Sequence, residues 1–224
     1  MLLKQTEQPT VNGFRHSVIE SNVLARSSKS SRAKLLTELR GRYILDESSP
    51  VFASFLKEWK VADCEQAHSL LVFVLLALND RTVMMTSCEW LFPRLLQPGS
   101  ELRIGDLDTF LLSVARTTQP EISRWSDETR IRVERHYLAS VRDFGLATGA
   151  TKKLSVKPAL YAAPVRLLIQ ALFTAGANSS AIVRHEAFKI LGIAPNEVID
   201  MLSELHRQGS LHFRMQADIV ELSL

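Results

Sequence analysis

The stretch that most restricts what this chain can fold into is residues 70–78, Leu-Leu-Val-Phe-Val-Leu-Leu-Ala-Leu, nine apolar residues without a break. Nine is well short of the ~18 that a membrane-crossing helix needs. Nothing in the run alternates, so a half-buried strand does not fit, and the flanking residues keep a helical period. A helix that is apolar on every side has to be the buried centre of a bundle. Asp63 stands where it would cap this helix, and amphipathic helices that could surround it are read on both sides. Residues 17–26 predict a short helix. Ser30 or Ser31 caps a second that runs to about Tyr43, with Ala33, Leu35, Leu36 and Leu39 as its apolar positions. Pro50 opens a third at its first turn, where the missing N–H costs nothing, and that helix carries Phe52, Phe55, Leu56 and Trp59. A further helix covers about 82–96 and ends before Pro98-Gly99.

After Gly105 the layout changes. Helices are predicted over 106–118 and 126–144, then a stop at Gly145 and a short strand over 154–157. A similar layout returns downstream and fits better there, since the middle helix of the first stretch, near Pro120, would have to be very short. Helices run from near Pro164 to Gly176, from Ser179 or Ser180 to Gly192, and from Pro195 to Gly209. Short strands follow over 210–215 and 219–222. Three helices followed by a small extended element is the plan of a winged helix-turn-helix. The expected fold is therefore mainly α, a helical bundle with two helix-turn-helix or winged-helix-like units in the C-terminal half. The expected segments are an N-terminal bundle over 1–100, a first unit over 101–158 and a second over 159–224, packed as one globule.

With 46% hydrophobic and 23% charged residues, 9 Gly and 8 Pro, disordered and collagen-like classes are excluded. Two cysteines, Cys64 and Cys88, cannot make a disulfide scaffold and are expected as free thiols. Residues 1–13 are too polar for a secretory signal, so a soluble, cytoplasmic protein with no membrane partner is expected. The net charge is only +3, but it is unevenly spread: +5 over residues 1–45, −4 over 46–120, +3 over 121–157 and −1 over 158–224. Two basic segments separated by an acidic one point to a polyanion partner, with a solvated basic face as the alternative.

The helix over 126–144 is the most informative. Stepping ~100° per residue from Val133, the residues Phe144, Tyr137, Val141, Leu138 and Ile131 share one arc with it. Arg132, Arg135, His136 and Arg142 occupy the opposite arc, with Glu128 and Asp143 as its only acids. Three arginines within three turns can reach phosphates, and one can fork onto a guanine edge. Lys152 and Lys153 follow at the base of the expected wing, where they can hold the DNA backbone. In the second unit the corresponding face carries Asn196, Asp200, Ser203, Glu204 and Arg207. Two carboxylates there would repel phosphates, so a structural or protein-docking role is expected, with His206 as a packed flank residue. The early run Arg26, Lys29, Arg32, Lys34, Arg40 and Arg42, interleaved with serines at 27, 28, 30 and 31, reads as a second backbone-contacting patch. It reads equally well as a solvated helix start.

Catalytic signatures are absent. His185-Glu186 begins like a zinc-protease helix, but Lys189 stands where the second histidine must be. Glu58-Trp-Lys60 has the letters of a nuclease half-site but lies on a predicted helix. The cysteines are too far apart for a zinc pair, and there is no phosphate-cradling glycine loop or nucleophile elbow. No enzyme activity, cofactor or metal is expected.

Three segments resemble the BrxA family of bacterial BREX phage-exclusion systems. They are Ser-Ser-Arg-Ala-Lys-Leu-Leu-Thr-Glu-Leu-Arg from Ser30, Trp125-Ser-Asp-Glu-Thr129 opening the basic helix that ends in Phe144-Gly-Leu146, and Met201-Leu-Ser-Glu-Leu with Gly209 and a closing strand. The resemblance spans nearly the whole chain. It implies a small helical protein with helix-turn-helix elements that binds double-stranded DNA. The implied partners are a methyltransferase, an ATPase and a phosphatase-like component that mark host DNA and block phage replication. A non-enzymatic DNA-binding component is the leading expectation, and a protein-interaction adaptor with incidental DNA contact is its rival.

Overall fold

The computed structural model describes Leu2, residues 9–217 and residues 219–224. Asp218, in the turn expected between the last two strands, lies outside the described residues. Helix α1 (Val11–Arg15) continues as a π-helical turn over His16–Glu20, followed by α2 (Lys29–Tyr43), α3 (Pro50–Val61) and α4 (Glu65–Asn79). Helix α5 (Arg81–Leu95) meets α4 at 114° across Asp80 and contains a π-helical segment, Thr86–Leu91. Then come α6 (Ile104–Ala115), a 3-10 turn at Pro120–Arg124, α7 (Asp127–Asp143) and the two-residue strands β1 (Ala147–Thr148) and β2 (Leu154–Ser155). The last quarter holds α8 (Ala162–Thr174), α9 (Ser179–Val183), 3-10 turns at Glu186–Leu191 and Pro195–Glu197, α10 (Val198–Arg207), β3 (His212–Gln216) and β4 (Ile219–Ser223). The result is a mainly helical bundle with two small antiparallel hairpins, β1–β2 and β3–β4.

Helix α4 sits where its composition requires. Leu70, Leu71, Phe73, Val74, Leu75, Leu76 and Ala77 are all buried. Helix α8 lies across both α3 and α4, so residues far apart in sequence share one buried cluster from Phe14 to Leu222. Among the described residues no single helix is long and apolar enough to cross a membrane.

Where the elements depart from the sequence reading, a specific side chain is responsible. Helix α1 starts earlier than residue 17 because Thr10 caps it by accepting from the Gly13 N–H at 3.0 Å, and Phe14 and Val18 are fully buried. Ser28, not Ser30 or Ser31, caps α2. The Cys64 sulfur, not Asp63, accepts the Ala67 N–H at the start of α4. The helix expected to reach Gly192 breaks after Val183, because the extended His185 uses its ring Nδ1 to accept the Ala187 N–H and starts a new turn. Helix α7 matches its expected limits. Ser126 caps it by accepting the Thr129 N–H, and Gly145 ends it at φ 79°. There the Leu146 and Gly145 N–H groups return to the carbonyls of Val141 and Arg142. A side chain at Gly145 would meet only the movable end of Gln66, so it is the left-handed φ that calls for glycine there.

Candidate nucleic-acid interface

Helix α7 presents the basic arc to solvent. Arg132, Arg135, His136 and Arg142 are exposed, while Tyr137, Leu138 and Val141 are buried beneath them. The arginines are not equivalent. Arg132 pairs with Glu128 at 3.0 Å one turn back, and Arg142 pairs with its neighbour Asp143 at 2.7 Å. Arg135 makes no ion pair among the described residues. Lys152, after β1, lies 3.5 Å from Glu101, which also holds Arg103 at 2.8 Å. These two cations keep the Glu101 carboxyl below the usual range, with the Arg103 hydrogen bond the larger cause. The Lys153 ammonium donates to the Ala150 carbonyl within the same loop.

The early basic run splits in two. Lys29, Lys34, Arg40 and Arg42 lie exposed along α2, and Arg26 is exposed just ahead of it. Arg32 instead turns inward, and its guanidinium donates to the Ile19 carbonyl at the end of the first π-helical turn. Arg42, at the C-terminal end of α2, and His136, in the middle of α7, line the same cavity. One residue from each basic segment thus stands in the wall of the same cavity, although more than ninety positions separate the two.

Two charged residues on α7 escaped the sequence reading. Arg130 bonds Asp108 of α6 and also Asp127, the latter at 3.0 Å. Glu134 is fully buried, and neither carboxylate oxygen meets an N–H donor among the described residues. Enclosure away from water pushes its pKa up to about 7, helped by a proton shared with the Asp108 carboxyl and by that residue's charge, and opposed by Arg130 and Arg135. The signal was present in the spacing, since both residues fall inside the apolar arc, ~60° and ~100° from Val133.

The residues weighed for catalysis have structural partners. Arg166 of α8 donates to Glu58 Oε2 from Nη2 at 2.6 Å and from Nε at 2.9 Å, so Glu58 is one half of a buried ion pair. Lys189 pairs with Glu186 at 3.0 Å, and His185 is a helix cap. Both cysteines are free thiols, and burial pushes Cys88 up to about 11, far from a reactive thiolate. Among the described residues, no three His, Cys, Asp or Glu side chains gather as a metal site.

On α10, Glu204 is engaged by Arg207 and the following Gln208, and Asp200 is exposed. The His206 ring is half-buried against His212, 5.3 Å between centroids. Its hairpin leaves Ile219 70% and Met215 42% exposed.

No curated protein and no solved structure matches this chain. A family model described as BrxA matches residues 2–172, from the start of the chain into α8. That match takes in the whole basic surface of α2 and α7, and by it the chain belongs to the BrxA family, whose members are non-catalytic accessory proteins of BREX systems.

Proposed function

We propose that this protein is a double-stranded DNA-binding component of a BREX phage-defence system and has no catalytic role of its own. In this reading α6 to β2 and α8 to β4 act as two helix-turn-helix or winged-helix-like units. The first is the DNA-contacting one. The observation that carries the reading is that Arg42 of α2 and His136 of α7 line one cavity, which supports treating the two basic segments as parts of one surface. Arg132, Arg135, Arg142, His136, Lys152 and Lys153 would hold phosphates from one side of that surface. Arg26, Lys29, Lys34, Arg40 and Arg42 would hold them from the other, and Arg32 would act only by supporting α2. Exposed ion pairs such as Arg132–Glu128 contribute little to stability, so exchanging Glu128 for a phosphate costs little. The acid-lined second unit would face the methyltransferase, ATPase or phosphatase-like partner.

Fluorescence anisotropy of unrelated labelled duplexes with the purified protein at near-physiological salt tests this. Binding of comparable strength to each duplex is expected, because backbone contacts outnumber groups able to read bases. Absence of binding at micromolar protein would favour the adaptor reading, which the exposed Ile219 and Met215 on the second hairpin support.

A further inference from the structure

Beneath the basic surface lies a cavity of about 200 Å³ between α4, α5, α6 and α7. Phe73, Leu76, Leu107, Leu111, Trp125 and Tyr137 give its wall large apolar and aromatic faces. Among its charged wall residues, Glu134 stands apart. It is 0% exposed, and its two carboxylate oxygens meet no N–H donor among the described residues; the group it faces within hydrogen-bonding reach is another acid, Asp108, with which it can only share a proton. Arg130, the cation that acts on it most strongly, is engaged by Asp108 and Asp127. A carboxylate shut away from water without a donor is costly, and a protein tolerates one chiefly where something completes it.

The surroundings are built rather than accidental. Thr86, at the start of the π-helical segment of α5, forms part of the wall, and such segments recur at functional sites. The next residue, Ser87, shares a buried 2.9 Å hydrogen bond with the Tyr137 hydroxyl, which fixes α5 against α7. Other charged groups on the cavity have their own roles. Asp80 caps α5 by accepting from Thr82 and Val83, while Arg42 and His136 are exposed at its outer end. Glu134 itself faces Asp108 from α6 and Arg130 and Arg135 from its own helix.

We infer that this cavity is a binding site for a small organic cation, with one ring or a branched alkyl body against Trp125 and Leu111 and a protonated amine paired with Glu134. Size supports this, since apolar cavities of ~150 Å³ already take up benzene. The terminal torsion of a glutamate is soft, so an oxygen can turn toward an occupant without moving α7. The inference does not depend on DNA binding, and its test uses none.

Benzylamine is the probe, with benzyl alcohol as its uncharged counterpart, titrated into the full-length protein up to about 10 mM by calorimetry and by NMR of the Trp125 and Tyr137 rings. Benzylamine is expected to bind more tightly than benzyl alcohol at pH 8 and to shift both ring signals. Its affinity should fall about tenfold from pH 8 to pH 6, as Glu134 takes up a proton while the amine stays charged. Glu134→Gln should remove that pH dependence and at least tenfold of the amine affinity, yet leave benzyl alcohol binding in place. Leu111→Trp, which fills the space, should abolish both. If the wild-type protein binds benzylamine no better than benzyl alcohol, or with no pH dependence, the proposal is overturned. The same follows if Glu134→Gln binds benzylamine as wild type does. Should that variant not fold, the wild-type pH profile decides alone.

Discussion

Arg166 shows how much one side chain can hold together. It reaches from α8 to Glu58 on α3 and, at 3.4 Å, to the carbonyl of Ser210 beyond α10. The pair is largely withdrawn from water, with side chains 18% and 7% exposed. Removing one partner strands the other charge, so Arg166→Ala should cost about 3–5 kcal/mol in urea denaturation. The double replacement Glu58→Leu with Arg166→Met should recover most of that stability. Equal damage in the single and double variants would show that packing, not charge, is what matters there. Glu134 works in the opposite sense. Its folded pKa, about 7, lies above that of an unfolded glutamate, so the folded state holds its proton more tightly. Stability from this group is therefore full at acid pH and is lost as pH rises from about 4.5 through 7. Glu134→Gln should flatten the stability profile across that window and be the more stable protein at pH 8. A wild-type profile without a fall there would contradict the buried carboxylate.

At the scale of elements, α7 sets the expected behaviour on DNA. Every cation that ceases to neutralise a phosphate lowers the dependence of log affinity on log salt by about 0.9. Replacing Arg132, Arg135 and Arg142 with alanine should flatten the slope by roughly 2–3 and weaken all duplexes alike. Arg135 alone should account for the largest share, since it makes no ion pair among the described residues. Glu128→Gln should strengthen binding by releasing Arg132, whereas Arg207→Ala on the acidic unit should change little. An unaltered slope in the triple variant would move the interface to α2. Helix α7 was legible in the sequence because its signals are local: a serine cap, an apolar arc and a glycine stop. The π-helical turns at His16–Glu20 and Thr86–Leu91 were not, because one extra residue in a turn leaves composition and capping signals unchanged. The break at His185 was hidden for another reason, since histidine seldom acts as a cap. Glu134 was overlooked because an acid on a basic helix is assumed to face water, and only its angular position says otherwise.

At the scale of the molecule, the bundle and the C-terminal elements share one buried cluster, and α8 covers α3 and α4 together. Thermal unfolding followed by circular dichroism and by tryptophan fluorescence should therefore coincide in a single transition, even at 224 residues. A fragment of residues 1–100, lacking Arg166 and α8, should bind a hydrophobic dye and unfold without cooperativity. Two separated transitions, or a well-folded fragment, would instead mark an independent N-terminal unit. The way α8 closes over α4 also matters while the chain is being made. A ribosome finishes α4 roughly 90 residues before it finishes α8, an interval of about 5–20 seconds at bacterial rates. Through that interval a helix apolar on every side waits without its cover. Newborn copies are thus far more exposed to one another, and to chaperones, than finished ones, and crowded synthesis at high expression is the condition under which this protein should be lost to aggregation.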